Sequence, residues 1–335
     1  MYLAYFIRSV YAFFALLALV FEAFPWTRDT FVKYGKTREE AKEEAAEPVQ
    51  GASDSSTASI AGNRDSGERS ESASTVPQRF AQMTVPKHTF SHFYIFGTIC
   101  SALVTLDIIN WVKGQSGSQL PEATAKCFIQ LYISWEQRIL GSGLATVVAF
   151  PHKITVLALT MYNVHIMLRL KESAYDQPAT KARMHISQYA VGIIYYAVTP
   201  LAVVVDSFYR PAWKSPPVWA VIAGLAAYAY ASVHQWRCHH ILYNLRTQSL
   251  REDSGYVVPT GDLFAYVACP HFFCEILVYV AIWMVTGFQA TTLLWNIGWI
   301  ITGLGITAGE SHRWYKRTFG DKYPRNRRAL VPFIW

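Results

Sequence analysis

The sequence predicts an all-α integral membrane protein with about seven transmembrane helices. Spanning a bilayer as a helix takes about 20 predominantly apolar residues, and several stretches of this chain have that length and character. Only 16% of the residues are charged, against roughly 25% in ordinary globular domains, and those charges crowd into a few segments between the apolar stretches. The basic residues also alternate in density from one connecting segment to the next.

Spans are expected at about 2–24, 90–112, 143–164, 186–208, 217–233, 264–286 and 288–308. The first contains Arg8 and is not followed by a small-residue cleavage site before Pro25-Trp26, so it reads as a retained span and not a signal peptide. The sixth contains Pro270, which removes a helix hydrogen bond and is expected to kink or interrupt it. The moderately apolar stretch 122–140 is expected at the interface or as a re-entrant segment.

Three parts follow from this division. Residues 1–38 hold the first span and its flank. Residues 39–82 form a Ser/Ala/Gly/Asp-rich loop, read as disordered because it has too little apolar surface to offset ordering entropy. Residues 83–335 form a six-span core that ends in a basic and aromatic C-terminal segment.

If the N-terminus lies on the far side of the membrane, the cytoplasmic segments 25–89, 165–185, 234–263 and 309–335 carry 23 Lys and Arg, against five in the far-side loops. That is a positive-inside bias, and it places the C-terminus in the cytoplasm. The net charge of +7 then needs no nucleic acid, since it suits a headgroup interface or a phosphorylated cofactor. The five cysteines show no paired spacing, so no disulfide framework is expected.

Polar chemistry concentrates in three cytoplasmic neighbourhoods. In VHIMLRLKESAY (Val164–Tyr175), His165, Arg169 and Glu172 recur at i, i+4, i+7 and share one helix face. The second is SVHQWRCHHILYNLR (Ser232–Arg246) followed by VPTGDLFAYVACPHFFCE (Val258–Glu275), and the third is the final 26 residues from Glu310. Arginines beside amides, carboxylates and imidazoles suit a nucleotide, because a 2′-phosphate asks for Arg and a pyrophosphate for several donors. Glu275 lies within the sixth span, where an ionisable group is costly and points to function or to a buried structural hydrogen bond.

Other patterns carry less. Gly141-Ser-Gly143 follows no strand and is not a dinucleotide fingerprint. Gly305-Ile-Thr-Ala-Gly309 has the spacing that packs helices. Cys238-His239-His240 and Cys269-Pro-His271 lack a complementary pair at ligand spacing, so no metal is expected. The closing VPFIW, uncharged, is expected to cap the cytoplasmic mouth.

At these residues the chain resembles the steroid 5α-reductase family, in its polyprenol (polyprenal) reductase branch. SHRWYKRTFGDKYPRNRRALVPFIW resembles that family's closing signature, HQWRCHHILYNLR its cofactor loop, and PTGDLFAYVACPHFFCEILVY the block after it. KYGKT (Lys33–Thr37), VPKHTFSHFYIFG (Val85–Gly97) and HISQYAVGIIYY (His185–Tyr196) are similar to the polyprenol branch. The resemblance implies a steroid 5α-reductase-like bundle in the endoplasmic-reticulum membrane, multi-pass, with a lumenal N-terminus. It implies NADPH entering from the cytosol, and a polyprenyl lipid reaching the site laterally for conversion to dolichol, which supplies N-glycosylation. Carried over by position, Arg169, Gln235, His239, Asn244, Arg246, Asp262, Glu275, His312 and Tyr315 would line the NADPH pocket.

The chain also departs from the family pattern. Steroid-reducing members carry a Tyr after the span-three His and a Gln-Glu pair in an early span. Here Ile166 follows His165 and no such pair is found, which argues against steroid turnover as the main activity. His92 and Tyr94, in FSHFY, stand as the substitutes expected to polarise the substrate. They lie two residues apart, about 200° around a helix, so only one can face the site unless the turn is irregular. Two rivals remain at this stage. A membrane methyltransferase using S-adenosylmethionine shares the C-terminal His…Tyr-Pro…Arg pattern but not the upstream blocks. A lipid carrier or scaffold explains the spans but not the His/Arg clusters.

Overall fold

Helix α1 (Tyr2–Ala23) sets the pattern for the bundle, burying Leu3, Ala4, Ile7 and Tyr11 along one stripe and turning Phe6, Phe13 and Leu16 outward. Outward-facing apolar side chains are what a lipid surround requires. The computed structural model describes residues 2–24, 27, 28, 83–115, 138, 153–175, 182–209, 214–252 and 255–335. The expectations for 39–82, for KYGKT and for Gly141–Gly143 fall outside the described residues, as do all of 122–140 but residue 138 and the first part, 143–152, of the third expected span.

Among the described residues six further long helices follow: α2 (Phe90–Gln115), α3 (Lys153–Tyr175), α4 (Ile186–Tyr209), α5 (Val218–Glu252), α6 (Pro270–Val285) and α7 (Thr291–Phe319). This is the all-α membrane bundle that the long apolar stretches predict. Four of the helices, α1, α2, α4 and α7, are long and apolar enough to cross a membrane by composition alone. The others fall short for physical reasons. Helices α3 and α5 carry the charged and imidazole side chains of the candidate site, and α6 has only 16 residues.

Several boundaries differ from those read off apolar runs. Helix α3 runs on to Tyr175, α5 to Glu252 and α7 to Phe319. An apolar run ends where the hydrocarbon ends, whereas a helix continues wherever its backbone stays paired. Pro270 does not kink a span. It opens α6 at the first helical position, where its missing N–H is no loss, and residues 262–265 before it form a separate 3₁₀ turn.

A short antiparallel pair ties the starts of α2 and α4 together: β1 (Thr84–Pro86) pairs with β2 (Arg183–His185), Val85 opposite Met184. His185 then caps α4. Its Nδ1 accepts the Ser187 N–H at 3.1 Å, and its own N–H donates to Gln188 Oε1 at 3.2 Å, a reciprocal cap in the manner of a capping box.

The main core lies between α1, α3, α4, α6 and α7, around Tyr162, Ile166, Val203, Tyr279, Ile282 and Leu293. A second, smaller core forms where the C-terminal segment returns, with Trp314, Tyr315, Tyr323 and Leu330 packed on Ala268 and Cys269. Ala268 and Cys269 donate their N–H groups to the carbonyls of Arg328 and Ala329. The final residues do not reach the candidate cavity described below. The carbonyl of Trp335 accepts the N–H groups of Leu330 and Val331, and its ring lies against α7 at Gly305 and Gly309. The small-xxx-small face of α7 therefore seats an indole.

Candidate functional site

One cavity of about 560 Å³ opens inside the bundle, within the range of small-molecule pockets (roughly 300–1,000 Å³). Each of the seven helices named above contributes to it. The contributions come from the C-terminal halves of α1, α3 and α5, the N-terminal turns of α2, α4 and α6, and the middle of α7. Because neighbouring helices alternate in direction, all of these lie at the same end of the bundle.

Two walls of different chemistry meet there. The polar wall comes from α3, α5 and α6: Arg169, Glu172, Gln235, His239, Arg246 and Glu275. The apolar wall comes from α1 and α7, with Phe14, Leu17 and Phe21 facing Trp299, Gly303 and Leu304. Tyr94, Tyr195 and Tyr196 sit between the two walls.

The stripe on α3 turns toward this site. His165 Nε2 is 3.1 Å from Glu275 Oε1, and Gln235 Nε2 donates to the other oxygen of the same carboxylate at 2.5 Å. Glu275 is thus fixed from both sides, as an ionisable group at membrane depth requires. One turn further along α3, Arg169 pairs with Glu172, and both are buried. The Nδ1 of His239 lies 2.7 Å from Arg169 Nη2 and 2.8 Å from Glu172 Oε2. The guanidinium can only donate and the carboxylate only accept, so the tautomer of His239 decides which contact is a hydrogen bond.

The sequence-expected residues divide cleanly by position. Arg169, Gln235, His239, Arg246, Glu275 and Tyr94 all line the cavity. His92 does not. Helix α2 is regular through this turn, so with Tyr94 facing inward His92 faces out, where its Nδ1 lies 3.2 Å from the Tyr189 hydroxyl. Asn244 is exposed on the flank of α5 and lines no part of the cavity.

Asp262, His312 and Tyr315 also stand off the cavity. Asp262, at φ 45° behind Gly261 at φ 94°, accepts the Leu263 N–H at 2.7 Å and contacts His234 Nδ1 at 2.6 Å, which pins the turn to α5. His312 Nδ1 lies 3.0 Å from the Tyr323 hydroxyl, and the Tyr315 ring stacks on Tyr323 with 5.6 Å between centroids. Burial pushes the Tyr323 hydroxyl up to about 12, against the lowering influence of Arg327. The phenol therefore keeps its proton, which it can donate to His312.

Some lining residues carried no separate signal in the sequence. Trp236, His240 and Tyr243 line the cavity as a stacked ladder, with centroids 5.7 and 6.2 Å apart. Their i, i+4, i+7 spacing was available, but it passes equally for an interfacial aromatic face. Arg327 is buried, donates to the Pro259 carbonyl at 3.1 Å and packs over the Tyr323 ring. Nothing in RNRR separates it from its exposed neighbours Arg325 and Asn326. Among the described residues no group of three or more His, Cys, Asp or Glu could hold a metal ion.

Residues 182–335 match the family described as 3-oxo-5-alpha-steroid 4-dehydrogenase. A polyprenal reductase of Xenopus tropicalis is 30% identical over 265 residues, covering 75% of this chain and 80% of that protein. Polyprenal reductase 1 of Oryza sativa subsp. indica is 28% identical over 296 residues (76% and 80%). The polyprenal reductase of Rattus norvegicus is 28% identical over 295 residues (80% and 84%).

Proposed function

Because the chain belongs to the steroid 5α-reductase family, in the branch of the polyprenal reductases, we propose that it is an NADPH-dependent oxidoreductase that saturates the α-isoprene double bond of polyprenyl lipids. The direct step is polyprenal to dolichal and the net conversion polyprenol to dolichol, which supplies protein N-glycosylation. The protein works in the endoplasmic-reticulum membrane with its N-terminus lumenal and its C-terminus cytoplasmic, as the distribution of basic residues argues. The observation that carries this reading is a cavity in which a cationic, hydrogen-bonding wall meets an apolar one.

The residues of the polar wall fit a dinucleotide phosphate. Arg246 lines the cavity from its exposed rim, and among the described residues no carboxylate is paired with it. Its guanidinium is free to meet a 2′-phosphate. Arg169, Gln235, His239 and Glu275 form the inner part of the nucleotide site. Asp262, His312 and Tyr315 support it by fixing the turn and the C-terminal segment, and Asn244 lies at its outer edge.

The chemistry favours an aldehyde. The double bond of an allylic alcohol offers hydride no electrophilic carbon, whereas conjugation with a carbonyl makes the β-carbon electrophilic. NADPH, when bound, supplies the hydride to that carbon. Tyr94 donates a hydrogen bond to the carbonyl oxygen, where the negative charge of the enolate develops, and a proton taken up from solvent at the α-carbon completes the saturated aldehyde. The Arg169 guanidinium, an electrostatic neighbour of that hydroxyl, strengthens it as a donor. His165 and Gln235 hold Glu275 in one orientation, with its remaining lone pairs available to an amide N–H. Phe14, Leu17, Phe21 and Leu304 keep water from the reacting carbons.

Arg246→Ala tests the nucleotide assignment. The KM for NADPH is expected to rise by about tenfold or more, in line with loss of a charge-assisted contact, while use of NADH changes little. Equal losses with both nucleotides would remove the 2′-phosphate role from Arg246.

A further inference from the structure

The apolar arm of the cavity contains a glycine that local packing does not account for. Gly303 lies in the middle of α7, where glycine is the poorest helix residue after proline. Three other helical glycines have an evident reason. A Cβ on Gly97 would stand 2.5 Å from Ile166, one on Gly192 would meet the Phe93 ring at 2.9 Å, and one on Gly224 would meet Val285 at 2.7 Å. A Cβ on Gly303 would meet nothing within 4 Å. Gly298 is also unobstructed, but it is exposed on the outer surface of α7 and lines no cavity. Gly303 faces the cavity, so the space it leaves belongs to the cavity.

That space lies between two matched stripes. Phe14, Leu17, Ala18 and Phe21 recur along α1, and Trp299, Ile300, Gly303, Leu304 and Thr307 along α7. The Phe14 and Trp299 rings meet edge to face at 5.5 Å where these stripes begin. The stripes span eight and nine residues, roughly 10–12 Å of helix. A cavity of about 560 Å³ cannot enclose a long polyprenyl chain together with a nicotinamide ring. Only the head of such a lipid fits inside.

We propose that Gly303 is a specificity-determining residue: the gap it leaves between α1 and α7 takes the isoprene units that follow the reacting one, so that the tail leaves the site along these two helices. The inference rests on the aldehyde-reductase reading above and adds where the chain runs. A side chain at position 303 then discriminates by chain length and not by chemistry. It should obstruct a long prenyl aldehyde and leave untouched a substrate that ends at the first isoprene.

Gly303→Leu and Gly303→Ala are to be compared with the parent protein on farnesal and on 3-methylbut-2-enal, which is the α-isoprene aldehyde alone. For Gly303→Leu, kcat/KM on farnesal is expected to fall at least tenfold through KM, with 3-methylbut-2-enal within about twofold of the parent. Gly303→Ala should lie between the two on farnesal. The NADPH-induced rise in Tm should be the same in all three proteins, which reads the nucleotide site independently of turnover. Parallel losses on both aldehydes, or an unchanged KM for farnesal in Gly303→Leu, would overturn the assignment. A parent protein that reduces neither aldehyde while its Tm still responds to NADPH would overturn the aldehyde-reductase reading itself, a different result from a variant that fails to discriminate.

Discussion

Replacing Tyr94 with phenylalanine is expected to lower turnover of a prenyl aldehyde by about a hundredfold or more, in line with losing one oxyanion donor, roughly 3 kcal/mol. The substitution keeps the ring, its edge-to-face contact with Tyr196 at 5.3 Å and its place in the cavity wall. It removes only the hydroxyl beside Arg169. Binding of NADPH, measured as a rise in Tm, should be unchanged, and KM for the aldehyde should move far less than kcat. His92→Ala, on the outer face of α2, should turn over normally. Normal turnover by Tyr94→Phe would mean that the donor lies elsewhere, with His165 the first group to test.

The second large effect concerns the other end of the bundle. Arg8 on α1 donates through Nη2 to Asp206 Oδ1 on α4 at 2.7 Å and through Nε to Thr292 Oγ1 on α7 at 2.9 Å. Asp206 in turn accepts the Thr292 N–H at 2.5 Å. Helix α7 starts after Ala290, which has no capping side chain, so a carboxylate from another helix supplies the cap and favourable negative charge at the N-terminus. Asp206 is almost fully buried, and removing one partner leaves the other charge uncompensated, at a cost of about 3–5 kcal/mol. Arg8→Met and Asp206→Asn should each lower the Tm of the detergent-purified protein by several degrees. Arg8→Met combined with Asp206→Leu should recover much of that loss, because no orphaned charge remains. The kcat of the folded fraction should be unaffected, since none of these residues lines the cavity. A double variant as unstable as the sum of the singles would show that the charges do not act as a pair.

How much of this was legible in the sequence depends on the range of the interaction. Spans such as α1 and α4 are written in local apolarity, and their ends fall within a residue or so of the apolar runs. The long polar extensions of α3, α5 and α7 are not, because polar helix beyond the apolar run has no hydropathy signal. The i, i+4, i+7 stripe of His165, Arg169 and Glu172 is likewise local, and the structure sets all three around the polar wall. What they touch is a different matter. Glu275 lies 110 residues from His165, and Asp206 lies 198 from Arg8. Arg8 was visible as an oddity in an apolar span, but its partner could only appear in three dimensions.

The C-terminal signature illustrates the same limit. His312 and Tyr315 stood out as chemistry-bearing residues, yet they pack against Tyr323 in a small core of their own. Residue type alone does not separate a side chain that touches a ligand from one that holds the wall behind it. Gly303 is the converse case. As one glycine among several in α7 it says nothing until the neighbouring space is known.

The central claim is tested most directly by product analysis. Purified protein is incubated with NADPH and either polyprenal or polyprenol, and the lipids are resolved by mass and by the position of the saturated bond. The account predicts that polyprenal is converted to dolichal, saturated only at the α-isoprene, while polyprenol is left unchanged. Polyprenal recovered intact, or polyprenol reduced directly at a comparable rate, would contradict it.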